Sequence, residues 1–452
     1  MAGALTRGAA FAAPPASVLV QPDPFARLQT LDTARIASAW SSLPEGEGCA
    51  QDARRLTSQA LVLGPAPRPG DGAPLGAFSL VDSRHLLQVD ATAQWGCVYG
   101  QLALQRQQSP RGDYMSWDGT ALSWQIDEHW RLGVGRIARQ WGQGWDGSLI
   151  LGTAARPFVN ASVDAASGRL DDSRWWWWLG EANATAFFGE LESERGDYAR
   201  PFLMGARVVI RPWTWIELGA SRTAMWGGDG RDKSWSAFRR ALVGFDNQAN
   251  RSNADEEPGN QLAGFDARLD LSALLPGVAL YGEAIGEDEA SHRPSRFMNL
   301  AGVDWRHRNG MVFYEWTNTI AGRTGVAYQH HIFTDGYRYK GLSLGHWADG
   351  DSKLWSLGGL LHDVAGGQGL AVLRYGELNK AGQNPIWPDA RLASASLQWS
   401  TDWAGIFGLT FVLDHADLRL RDTDDHQRDT QLRVQFEVRF GGPERERSSF
   451  VN

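Results

Sequence analysis

The chain has no uninterrupted apolar stretch near the roughly 18 to 20 residues that a membrane-spanning helix needs, although 43% of its 452 residues are hydrophobic. A helical membrane protein is therefore excluded. It has two cysteines, Cys49 and Cys97, too few for a disulfide framework and too far apart for a zinc motif. Two unrelated thiols are the simpler reading; pairing in an oxidising compartment is the other. There is no basic tract and no acidic tail: the net charge of −8 is spread over both signs along the chain, which argues against nucleic acid as a partner. A secretory leader is also poorly marked. MAGALTRGAAFAAPPAS has a small-residue site near Ala10 to Ala13, but its apolar stretch is short and broken by Arg7. Residues 1–23 read as a degenerate or truncated leader.

Between Pro24 and about Ala60 apolar residues recur three and four apart, in PFARLQTLDTARIASAW and in CAQDARRLTSQAL. This predicts two helices separated by SSLPEGEG. The Pro/Gly-rich stretch from Leu63 to Gly76 reads as a linker, so residues 24–76 form a helical segment with its linker.

From about Leu86 the apolar period becomes two and stays there almost to the end. Leu87, Val89, Ala91, Ala93 and Trp95 alternate with polar residues. So do Ala263, Phe265, Ala267, Leu269 and Leu271, and in the last strand Leu432, Val434, Phe436, Val438 and Phe440. A soluble sandwich also alternates, but the spacing gives about 18 strands of roughly 8 to 12 residues, near the length that crosses a bilayer at a tilt. No domain linker interrupts them after Gly76, as it would in a soluble protein of that many strands. Tight links such as Gly96–Cys97, HRNG (His307 to Gly310) and ADGD (Ala348 to Asp351) are separated by long polar ones, the longest from about Gly227 to Gln261. Short turns at one end and long loops at the other are the outer-membrane barrel pattern. Parity asks for one more strand near the front, within LGAFSLVD, and HDVAGGQG and NKAGQNPIWPDA give two longish links in succession, so one strand there is miscounted.

Four segments, RQWGQGWDGSLILGTAARP (Arg139 to Pro157), WIELGASRTAMWGGDGR (Trp215 to Arg231), NQLAGFDARLDL (Asn260 to Leu271) and LYGEAIGEDEA (Leu280 to Ala290), resemble, in order, the signature segments of the capsule assembly protein Wzi family. The resemblance runs from about Trp40 to Phe440. It implies an all-β membrane fold: a monomeric, closed antiparallel transmembrane β-barrel of about 18 strands in the bacterial outer membrane, over residues 77–440. A small N-terminal periplasmic helical segment and inward-folded loops would close the lumen. It also implies a lectin-like function, binding capsular or exopolysaccharide and anchoring it to the cell surface, with outer-membrane lipid and lipopolysaccharide as the other partners. No enzyme activity, cofactor or metal is implied. Two departures stand out: two helices where the family has three, and a tail, residues 441–452, beyond the aromatic Phe440.

With long loops outward, WGQGWDG, MWGGDGR and GEDEA share one rim. They gather Trp141, Trp145, Asp146, Arg222, Trp226, Asp229, Arg231, Glu287 and Asp288. Indole faces stack on the C–H faces of sugars, and carboxylates and guanidiniums bond paired hydroxyls; acidic clusters could share a divalent cation with an anionic polymer. The competing reading is a plug, because Trp-Gly-x-Gly segments with nearby charges are what a tightly packed inward loop requires. The run RWWWWLGE is expected to open a descending strand at the outer rim. Trp175 and Trp177 would then share one face and Trp176 and Trp178 the other, one pair in the lipid girdle and one at the lumen mouth.

Enzyme signatures fail. GLSLG (Gly341 to Gly345) fits G-x-S-x-G but reads as part of a period-two strand, with no turn into a helix to present the serine. His330, His331 and Asp335 would point to opposite faces of a strand. RGDY, at Arg111 to Tyr114 and Arg195 to Tyr198, reads as turn chemistry in outer loops. A porin-type channel or polysaccharide-export accessory is the alternative, with an outer-membrane hydrolase behind it. The inward-facing Asp266, Arg268, Arg433, Glu437 and Arg439 carry both signs and suit either paired charges or a pore lining.

Overall fold

The computed structural model describes residues 39–41, 54–64, 85–109, 112–169, 176–243, 259–287, 296–321, 327–364, 366–403 and 406–440. The first strands are β1 (Ala39–Ser41), β2 (Arg54–Gly64), β3 (His85–Trp95), β4 (Val98–Ser109), β5 (Gly112–Ser116), β6 (Ala121–Gln125), β7 (Trp130–Arg136), β8 (Arg139–Trp141), β9 (Val159–Arg169) and β10 (Glu181–Glu190). Next come β11 (Phe202–Trp213), β12 (Ile216–Trp226), the helix α1 (Trp235–Val243), β13 (Gly259–Asp270), β14 (Val278–Glu287), β15 (Arg296–His307) and β16 (Gly310–Asn318). The last are β17 (Arg338–Tyr339), β18 (Leu342–Ser343), β19 (Lys353–Val364), β20 (Gly367–Leu378), β21 (Ala390–Trp403), β22 (Phe407–Leu420) and β23 (His426–Phe440).

All but β1, β8, β17 and β18 belong to one antiparallel ladder. The last strand pairs with β2 (Leu61 opposite Val438) and β2 with β3 (Leu61 opposite Val89), so the pairings return to their start. The alternation read from the sequence is inverted relative to a soluble protein. In β13 the outward Phe265 is 67% exposed while its inward neighbour Asp266 is 5% exposed. Outward Leu218, Leu280, Val312, Leu357, Leu373, Leu397 and Leu413 repeat this around the wall. Large apolar side chains that remain uncovered on consecutive strands need an apolar solvent.

The two ends differ as the sequence predicts. Gly96–Cys97 and the link from His307 to Gly310 are tight turns, and β19 resumes as β20 at Gly367. That tight link removes the apparent succession of two long ones. At the opposite end, residues 137–158, 191–201, 227–258, 319–352 and 379–389 are long.

Several expectations are corrected. The second predicted helix is the strand β2, so the sheet begins at Arg54 instead of residue 77. Pairing on both edges, to β3 and β23, overrides the helical spacing of that segment. The rest of residues 1–53, apart from β1, and LGAFSLVD lie outside the described residues, as does the tail 441–452. ADGD is not a turn between spanning strands: Asp349 and Asp351 are buried near the end of the 319–352 segment, with positive φ. GLSLG lies in the same segment, and only its Leu342 and Ser343 form a strand, the two-residue β18. Cys97 is in a disulfide, which overturns the free-thiol reading; the chain's other cysteine, Cys49, lies outside the described residues.

The tryptophan run is also corrected. Trp175 lies outside the described residues. Trp176, Trp177 and Trp178 are all exposed, in a turn that becomes the 3-10 segment Trp177–Leu179, so the two-face reading fails. The turn joins β9 to β10 at the short-turn end. The strand β9, VNASVDAASGR, has few large side chains, and overlooking it reverses the parity. At that end the run joins exposed Trp95, Trp130, Trp213, Trp215, Trp305 and Trp403, all at or near strand ends, with Trp213 and Trp215 stacked 5.4 Å apart. This is an aromatic girdle.

Candidate functional site

Residues 137–158 enter the ladder's interior instead of arching over it. Glycine makes the path possible. Gly142 has φ +135°, and a Cβ there would lie 2.2 Å from Glu283 Oε1; at Gly144 it would lie 1.9 Å from the Gly147 carbonyl oxygen. The backbone therefore approaches the wall at Gly142 and folds back on its own loop at Gly144, where no side chain fits.

Inward side chains of consecutive strands receive this loop. Glu283 of β14 accepts from the backbone N–H groups of Gly144 (2.9 Å) and Leu149 (2.8 Å). Glu315 of β16 accepts from those of Trp145 (2.8 Å) and Asp146 (3.3 Å), and from the Tyr281 hydroxyl (3.0 Å). Trp145 Nε1 donates to Asp304 of β15 at 3.1 Å. Gln143 Nε2 donates to Glu217 of β12 and Asp266 of β13, both at 3.0 Å. Asp146 is held by Arg374 of β20 and by the Ser356 hydroxyl of β19. Two of the mixed inward charges are thus paired, Asp266 with Arg207 and Arg268 with Asp304, each at 2.6 Å; the side chains of Arg433 and Arg439 lie outside the described ones. A hydrogen bond contributes about 0.5–1.5 kcal/mol net, so several together fix one loop path. Apolar packing completes the plug: Trp145 stacks on Phe313 at 6.3 Å, Trp141 tilts against Phe187 at 5.3 Å, and Leu149 and Ile150 are buried. On its other edge β8 pairs with β1, Trp141 opposite Ala39.

The 319–352 segment packs on this loop. Tyr328 joins the two: its N–H donates to Glu287 Oε1 at 2.5 Å, its hydroxyl donates to the Leu149 carbonyl at 2.5 Å, and the same oxygen accepts from His346 N–H at 3.2 Å. Arg338 and Asp349 form a buried pair at 2.5 Å. Burial lowers the His346 pKa to about 4, so its imidazole is neutral at pH 7. The second RGDY is a clasp and not an exposed turn: Arg195 holds Asp197 with two hydrogen bonds and donates to the carbonyls of Gly336 and Arg338. Burial opposes the Asp197 charge, but Arg195 outweighs it and lowers that pKa. His330 and His331 lie in a loop, their rings 4.6 Å apart, with His330 Nδ1 accepting from Ile332 N–H.

The predicted site residues do not form one cluster. Trp141, Trp145 and Asp146 are buried in the plug. Glu287 anchors Tyr328. Arg222 bonds Gln261 on the outer face of the wall, and Trp226 is buried on that same face. Asp229 is exposed and pairs with Arg200 (2.8 Å) and Lys233 (3.0 Å), which lower its pKa. The Arg231 guanidinium lies over Tyr198 and Phe333, 5.0 and 5.3 Å from their centroids, and ties three loops together. Asp288 lies outside the described residues. Sequence reasoning missed Glu217, Glu283, Asp304, Glu315 and Arg374. Their signal was a charged residue at an inward strand position, already visible at Asp266 and Arg268.

A protein of Klebsiella pneumoniae described as an uncharacterized 55.8 kDa protein in the cps region is 29% identical over 383 residues, 82% of this chain and 75% of that protein. Among solved structures, Escherichia coli Wzi, an outer membrane protein involved in group 1 capsule assembly and a carbohydrate-binding β-barrel, matches with a TM-score of 0.71 at 24% identity. The match covers 85% of this chain and 84% of that one. The family model of the capsule assembly protein Wzi matches residues 82–432. That span is well over half of the 452 residues, and the chain belongs to the capsule assembly protein Wzi family.

Proposed function

We propose that this protein is a monomeric, plugged outer-membrane barrel that binds capsular or extracellular polysaccharide and holds it on the cell surface without cleaving it. The protein is an outer-membrane β-barrel of the Wzi family. The ladder has 19 strands among the described residues, and β5 and β6 pair successive stretches of β4. Taking those two as one interrupted strand leaves 18 in a closed barrel. The short-turn end faces the periplasm and the long loops face outward, as in other outer-membrane barrels.

The observation that carries this reading is the loop 137–158, clasped to wall carboxylates from Glu217 to Glu315. It spends the inward charges on holding a plug, where a general porin would leave them to line water. Trp141, Trp145 and Asp146 then serve the plug. Glycan contact falls to exposed polar groups on the outward side of the long loops, such as Glu194, His331, Lys340 and Lys380. The carbohydrate binding of Escherichia coli Wzi supports the ligand class.

Deleting the gene tests the function. The polymer should still be made and exported, but collect in the medium; unchanged retention on cells would overturn the reading. Purified protein should leave the polymer's length unaltered, and shortening would favour a hydrolase.

A further inference from the structure

We propose that α1 and the basic residues around it form an interfacial anchor on the outside of the barrel wall, which binds the phosphate-bearing glycolipid headgroups of the outer leaflet. This rests on the reading that the long-loop end faces outward.

The sidedness follows from strand parity. Arg207, Val209 and Arg211 of β11 point inward and are buried. Phe202 and Met204, of the opposite parity, therefore face outward, and the register sets them against Trp226 and Ala224 of β12. Lower on the same face the wall is bare, with Val208 and Leu218 exposed. Near the long-loop end it is covered: Met204, Ala224 and Trp226 are only 8%, 2% and 4% exposed. What covers them is α1. Ala237 is buried against this patch, and the Phe238 ring lies 5.7 Å from that of Trp226. The loop after β12 thus doubles back over the outside of the wall.

The other side of the helix has what an interface selects. Trp235 is 70% exposed, stacked on Phe238 at 4.8 Å. An exposed indole supported in this way suits the headgroup boundary. Arg239 is exposed, and Lys233 and Arg240 are partly so. Between Gly227 and Val243 four basic residues, Arg231, Lys233, Arg239 and Arg240, stand against two acids, Asp229 and Asp232, in a chain of net charge −8. Lys233 shares Asp229 with Arg200, and Arg240 pairs with Asp232, so a net excess of two positive charges remains on this stretch. A basic amphipathic helix with an aromatic anchor, lying along the wall near its outer rim, is built to lie in an anionic interface.

The probe is bisphosphorylated lipid A, with its dephosphorylated form as control, added to the detergent-solubilised full chain. Affinity is read from the rise in unfolding midpoint with lipid concentration. The triple variant Lys233→Gln, Arg239→Gln, Arg240→Gln should bind lipid A about 100-fold more weakly, and the wild type should discriminate against the dephosphorylated form. Trp235→Leu should weaken both lipids by a similar factor. These side chains lie at the surface, so the barrel should fold, as checked by heat-modifiable migration. Equal affinity of wild type and triple variant for lipid A overturns the proposal. So does a Trp235→Leu variant that loses polysaccharide binding while it keeps lipid A binding, which would make Trp235 a sugar platform. Polymer binding is a separate readout, so the anchor can stand if the polysaccharide reading falls.

Discussion

Arg374 grips Asp146 with Nη2 2.7 Å from Oδ1 and Nε 2.9 Å from Oδ2, and both side chains are buried. One belongs to the wall and the other to the loop in the lumen, so the pair fastens the plug to the barrel. Removing one partner of a buried pair costs about 3–5 kcal/mol, whereas replacing both by apolar groups is close to neutral. Asp146→Ala should therefore loosen the plug and raise single-channel conductance in a planar bilayer. The double variant Asp146→Leu, Arg374→Met should conduct less than the single one; equal conductance would detach the pair from the plug.

Gly142 tests the same plug through the backbone. A methyl group there meets the Glu283 carboxylate, which must move and so release the N–H groups of Gly144 and Leu149. Each buried donor left unpaired costs about 1–3 kcal/mol. Gly142→Ala should make residues 137–158 cleavable by added protease while the barrel keeps its heat-modifiable migration. Continued protection would mean that the loop accommodates the methyl.

Trp176, Trp177 and Trp178 are exposed at the short-turn end, far along the strands from the outward loops. Their indoles suit the lipid boundary. Replacing the three by Leu should lower the yield of folded barrel in outer-membrane fractions and leave polymer retention per folded molecule unchanged. A selective loss of retention would show that they touch glycan after all.

Much of the wall was legible because its physics is local: period-two alternation gives a strand whatever surrounds it. Where side chains are small the signal fades, as in β9, and one missed strand moved the tryptophan run to the wrong end. Where pairing partners are distant, local spacing misleads, and β2 reads as helix although β3 and β23 hold it extended. The glycines of WGQGWDG announced a tight inward path. Their partners did not appear as a motif, because Glu283 and Glu315 lie on separate strands, more than a hundred residues away from the loop that they hold.

His346 makes the plug sensitive to acid. Its side chain is buried, its Nδ1 accepts from Ala348 N–H at 3.2 Å, and Nε2 has no hydrogen-bond partner among the described residues. Burial is the main cause of the fall from 6.5 to about 4; Asp146 opposes it and Arg374 adds to it. The folded value lies below the free value, so the packed state binds fewer protons. Its stability is therefore complete above pH 6.5 and declines as pH falls towards 4, by about 1.4 kcal/mol per unit and about 3 kcal/mol in all. Conductance should rise across that window and level off below it. Asp146 and Arg374 act electrostatically on the same imidazole, so the comparison variant must keep them in place. His346→Gln keeps an acceptor for Ala348 and cannot titrate. It should flatten the pH profile, and an unchanged profile would assign the acid response to other groups.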